Sequence, residues 1–89
     1  MTIKLGRYNV EIDEEDIVLD NGCCIQVLTR GFVFGRFVFG LFNKGIPRIS
    51  KKLFSEFLKK KCLVLFKENE FGKYYHFDLN RLLEEGYAL

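Results

Sequence analysis

The sequence predicts an α+β fold, a small β-rich single domain over residues 1–89. Its expected parts are about five to seven short, mostly antiparallel strands, one amphipathic helix near 50–61 and a short C-terminal helix near 79–85. Three observations carry the prediction. Asn21-Gly22 separates two apolar runs, which is the strongest short-range hairpin signal. Leu53, Phe54, Phe57 and Leu58 recur at helical spacing behind Ser50. Cys62-Leu63-Val64-Leu65-Phe66 is continuously apolar yet too short to be a helix of its own.

Taken in order, residues 2–11 alternate as a strand does, but the apolar phase flips from Ile3 and Leu5 to Tyr8 and Val10. Gly6 stands at the flip, which predicts a bulge or bend. The acidic run Glu11–Asp16 is expected as a solvated turn, and strands follow near 17–20 and 23–29. The stretch GFVFGRFVFG at 31–40 repeats the tetrad Phe-Val-Phe-Gly. One reading is a hairpin with Gly35-Arg36 as a type II′ turn. The other is one continuous strand through 32–42, and the sequence leaves both open. Residues 43–48 are a loop, because Pro47 biases Ile46 away from helix, and Ser50 is placed to cap the helix behind it. That helix has about three turns. Cys62–Phe66 then reads as a strand buried on both faces. Asn69–Gly72 is a turn and Lys73–Phe77 a returning strand. Asp78 caps the last helix, which Gly86 closes.

The composition is that of a globular chain, 48% hydrophobic and 29% charged, with ten Phe and no Trp. No apolar run approaches the roughly 20 residues of a spanning helix. The N-terminus lacks the basic and apolar regions of a secretion signal. Three Cys, with no C-x-x-C spacing, fit a reducing compartment and act as small core hydrophobes. The expected location is cytoplasmic, with no membrane partner, no cofactor and no metal.

The net charge of +2 hides an asymmetry. Residues 1–29 carry two bases and six acids, net −4. Residues 30–61 carry nine bases and one acid, Glu56, net +8. Residues 62–89 carry three bases and five acids, net −2. A basic block between acidic flanks points to an anionic partner. Within it, Lys59, Lys60 and Lys61 suit a helix C-terminus and its dipole. Lys51 and Lys52 sit in the first turn, where positive charge is disfavoured. With Ser50 and Arg48 they form a candidate anion site, to which Arg30, Arg36 and Lys44 add charge. Phe32, Phe34, Phe37 and Phe39 put aromatic bulk on both faces of whatever strand they form, and so are candidate interface residues.

Catalytic constellations are lacking. His76 has Asp78 two residues on, but no nucleophile is tied to the pair. The acids at 11–16 lack the oxygen spacing and central glycine of a calcium loop. No Walker or dinucleotide motif occurs.

Two resemblances bear on nucleic acid. Residues 30–37, RGFVFGRF, resemble the ribonucleoprotein motif of RNA-recognition domains. Arg30, Gly31, Phe32, Phe34 and Phe37 match it, while Val33 and Gly35 depart from it. The resemblance implies phenylalanines that stack bases and a helix between the first two strands. Residues 12–22 have no room for such a helix. The order of helix 50–61, strand, tight turn and returning strand is similar to a winged helix. It implies a groove-binding helix, a wing at 62–77, and two helices before residue 50.

The expected function is therefore non-enzymatic binding. The leading expectation is a protein-interaction or inhibitor-type accessory module, which self-associates as a homo-oligomer or docks an acidic partner through the basic, Phe-rich middle third. A phage or mobile-element origin fits the composition by association only. Nucleic-acid binding through residues 30–61 is the alternative, and a small enzyme the remote one.

Overall fold

Short strands joined by tight turns make up residues 1–31. The computed structural model describes residues 1–31, 40–43 and 49–89, with residues 30–31 and 40–43 as backbone only. The elements are β1 (Thr2–Leu5), β2 (Tyr8–Glu11), β3 (Ile17–Asp20), β4 (Ile25–Gly31), β5 (Gly40–Asn43), α1 (Lys51–Lys59), β6 (Leu63–Asn69), β7 (Gly72–Phe77) and α2 (Leu79–Glu84). The fold is α+β, as the sequence predicts.

Residues 2–11 are not one bent strand. β1 and β2 pair antiparallel, with Leu5 opposite Tyr8, around a turn in which Gly6 has φ +65°. The phase flip is the signature of chain reversal: Ile3, Leu5 and Val10 are buried, and Tyr8 is exposed. The acidic run differs from expectation too, since Ile12 and Asp16 are buried. Asp13 Oδ1 accepts from the Glu15 and Asp16 amides, and Asp16 Oδ2 accepts from the Asp13 amide. This pair of carboxylates satisfies the turn's backbone donors, which explains why acids occupy it.

The Asn21-Gly22 hairpin forms, with a longer loop than the dipeptide alone suggests. Asp20 faces Ile25, so residues 21–24 make the connection. Asn21 Oδ1 accepts from the Cys23 and Cys24 amides, and Asp20 Oδ1 from the Gly22 amide. Cys23 is consequently exposed and Cys24 half-buried; of the three cysteines only Cys62 is a core residue.

The main sheet has the order β5-β4-β3-β7-β6, every neighbouring pair being antiparallel. β4 and β5 pair from Leu28 opposite Asn43 to Gly31 opposite Gly40. The Gly35-Arg36 turn and its alternative, a continuous strand, fall outside the described residues. Gly72 starts β7 at φ +139°, and a Cβ there would lie 2.1 Å from the Asp20 carbonyl oxygen. Only glycine allows β3 to approach the β6–β7 turn so closely.

One sheet face carries the core. Val18, Val27, Tyr75 and Phe77 meet Phe54 and Phe57 of α1, together with Ile3, Leu5 and Val10 of the small sheet and Leu82 of α2. The Phe54 ring meets Tyr75 edge-on at 5.4 Å, and Phe57 meets Phe77 at 6.5 Å. The opposite face holds a smaller cluster of Ile17, Leu28 and Tyr74. Before α1 the described residues carry strands only, so the helices a winged helix requires are not present there, nor is the helix of an RNA-recognition domain between β2 and β3. Among the described residues no helix is long and apolar enough to cross a membrane.

Candidate functional site

The expected anion site is only partly described. Ser50, Lys51 and Lys52 come together at the start of α1, while Arg36, Lys44 and Arg48 fall outside the described residues. Arg30 lies on β4 opposite Leu41, as backbone only. Phe32, Phe34, Phe37 and Phe39 likewise fall outside the described residues.

Ser50 acts as the expected N-cap: its hydroxyl oxygen accepts from the Leu53 amide at 3.1 Å. That oxygen therefore already serves the helix. Lys51 and Lys52 are exposed, and the first turn carries no acid. However, Asp20 lines the same shallow hollow of about 240 Å³ as Lys51, alongside Phe54 and Ser55. A counter-charge that the sequence places thirty-one residues away is thus a neighbour in space, and it weakens the field an anion would meet.

The other end of α1 is structural. Lys60 Nζ lies 3.2 Å from Glu56 Oε1 and over the Tyr87 ring at 5.0 Å. The Lys60 carbonyl accepts from Arg81 Nε and Nη2 at 3.2 and 2.9 Å, which ties α2 to the end of α1. Lys59 in the last turn and Lys60 at the C-cap stand where the helix dipole favours cations, the role read from the sequence.

Chemistry is equally sparse elsewhere. Asp78 Oδ1 accepts from the Arg81 amide as the α2 N-cap, so it does not orient His76. His76 instead stacks on Phe66 at 3.9 Å, and its buried Nδ1 has no hydrogen-bond partner among the described residues. Burial pushes the Cys62 thiol up, disfavouring the reactive thiolate. The described residues include no group of three or more metal-ligating side chains.

The feature the sequence misplaces is β6. Cys62–Phe66 was expected to be buried on both faces, yet only Cys62 and Leu63 are. β6 is the terminal strand of the five-stranded sheet, and Val64, Leu65 and Phe66 are 52%, 48% and 43% exposed. The edge is irregular in one place. Leu65 faces Tyr75 and Lys67 faces Tyr74, leaving Phe66 as the extra residue of a bulge. The bulge turns Phe66 onto His76, and Lys67 Nζ lies 5.4 Å from the Tyr74 ring centroid. Beyond the strand, Phe71 at the β6–β7 turn is 63% exposed. It lines an open groove of about 570 Å³ with Leu19, Leu28, Tyr74, Gln26 and Glu70.

An edge like this offers two kinds of contact. Half of its backbone N–H and C=O groups face away from β7, where a further strand can pair with them. Covering the exposed halves of Val64, Leu65 and Phe66 is worth about 2–4 kcal/mol, at ~1.5–3 kcal/mol for each full side chain. Natural sheets usually blunt such an edge, and here the bulge and Lys67 do so only at its far half. No match to this chain was found among protein-family models, curated proteins or solved structures.

Proposed function

We propose that this chain is a non-enzymatic protein-interaction domain that takes up an extended partner segment along β6. The supporting observation is the apolar, solvent-exposed edge strand, with Val64, Leu65 and Phe66 all open. Main-chain hydrogen bonds supply affinity in this mode, and alternate side chains supply selectivity. Phe71 and the groove beside it extend the apolar surface past the strand end. Lys51 and Lys52 belong to a different part of the molecule, at the α1 N-terminus, and add a basic contact for an acidic partner.

The test compares two baits in extracts of the source cells, the wild-type chain and Leu65→Lys. Leu65 is half exposed, so the substitution leaves the thermal midpoint within a few degrees. The wild-type bait retains a protein that the variant loses. An identical captured set would overturn the reading. In parallel, anisotropy titrations with single- and double-stranded DNA and RNA should show no binding at low salt. Tight binding that weakens steeply with salt would instead establish the nucleic-acid alternative.

A further inference from the structure

The β6 edge is polarised in charge as well as apolar. Lys59, Lys60 and Lys61 lie just before its N-terminal end, while Glu68 and Glu70 lie at its C-terminal end. Lys60 is held by Glu56, which leaves Lys59 and Lys61 as the charges open to a partner. At the other end, Lys67 is drawn over Tyr74, and Lys73 of β7 stands opposite Glu68. Glu68 and Glu70 are therefore balanced by Lys67 and Lys73, and this end is neutral overall against the basic end of the strand.

We propose that the partner of β6 is a second copy of this chain, paired antiparallel across a two-fold axis at Leu65. This rests on the protein-interaction reading and names its partner. Leu65 then faces Leu65 of the second copy, and Val64 faces Phe66, so the three exposed apolar residues of the strand cover one another. The same arrangement brings the lysine end of each copy to the Glu68–Glu70 end of the other, twice. A parallel arrangement would set lysines against lysines. Two identical antiparallel strands form an isologous contact, which closes after one pairing and leaves no free β6 edge for further growth. The bulge and Lys67 limit the apolar contact to the first half of β6, which favours a short, reversible pairing. The two five-stranded sheets become one sheet across the axis.

Sedimentation equilibrium on the purified chain tests this. Apparent mass should rise from 10.5 kDa towards twice that value over a roughly hundredfold concentration range. Leu65→Lys, with unchanged far-UV circular dichroism, should weaken the dimer at least about tenfold. Amide exchange should slow with concentration within Leu63–Asn69 but not within Thr2–Leu5. A monomer at every concentration would overturn self-pairing. If Leu65→Lys bait then still loses its captured protein, the broader interaction reading stands with a different partner. Unchanged capture as well would overturn both. A dimer that Leu65→Lys leaves intact would move the contact away from β6.

Discussion

Tyr87 fastens the last residues of the chain to α1 and to the small sheet at once. Its ring meets Phe57 edge-on at 4.9 Å, and its carbonyl accepts from the Lys4 amide. Its hydroxyl donates to Glu56 Oε1 at 2.5 Å. That hydrogen bond first, and the Lys60 ammonium second, hold the Glu56 carboxyl below its ordinary value of 4.5. A lowered carboxyl contributes stability that is fully present above the unfolded value and is lost as pH falls through the folded one. Urea midpoints should therefore drop as pH falls from about 4.5. Tyr87→Phe removes the hydroxyl, so its midpoint at neutral pH should be lower and its loss in acid shallower than wild type. Parallel acid limbs for the two proteins would show that the hydroxyl does not act through Glu56. None of this was readable beforehand, because Tyr87 and Glu56 are thirty-one residues apart and only the fold makes them neighbours.

At the level of elements, what the sequence states locally survives in the fold. Ser50 caps α1, Asp78 caps α2, Gly86 follows α2 at φ +82°, and Asn21-Gly22 turns the β3–β4 hairpin. Each rests on a rule spanning four residues or fewer. β6 fails because strand order is not a local property. A run of five apolar residues looks the same whether the strand lies in the middle of a sheet or at its edge. Only the register with β7, with no described strand beyond, shows that β6 is the edge. Most of the expected basic and aromatic site lies outside the described residues, and its described side chains stand at the start of α1. Its first turn holds Lys51 and Lys52 and no acid. Converting both to Glu should stabilise the domain by about 0.6–2 kcal/mol, from ~0.3–1 kcal/mol for each charge placed favourably against the helix dipole. Asp20, sharing the hollow with Lys51, pulls the gain towards the lower figure. Urea unfolding measures it. A gain in stability together with unchanged partner binding would remove these lysines from the contact surface, whereas a gain with lost binding would show that they are kept for function at a cost in stability.

In the whole molecule, two sheets share one core, and Phe57 is the side chain that joins them. It is fully buried, and it meets Phe77 of the five-stranded sheet on one side and Tyr87 on the other. Tyr87 in turn holds β1 through the Lys4 amide, and Leu89 donates to the Thr2 carbonyl. The β1–β2 hairpin is too small to be stable alone in water. Its Ile3, Leu5 and Val10 are buried in the one cluster that also holds residues of α1, α2 and the large sheet. The two sheets should therefore unfold together. Phe57→Ala should cost about 3–5 kcal/mol, a large part of the 5–15 kcal/mol that holds a typical domain. Native-state hydrogen exchange can follow the Ile3 and Val10 amides in one sheet and the Val18 and Tyr75 amides in the other. All four should lose protection by the same factor. If only Val18 and Tyr75 respond, the small sheet is held by contacts independent of Phe57. The edge-strand proposal adds a condition to the measurement. A folded dimer is stabilised by mass action, so the loss must be compared at one protein concentration, and in Leu65→Lys it should be the same at every concentration.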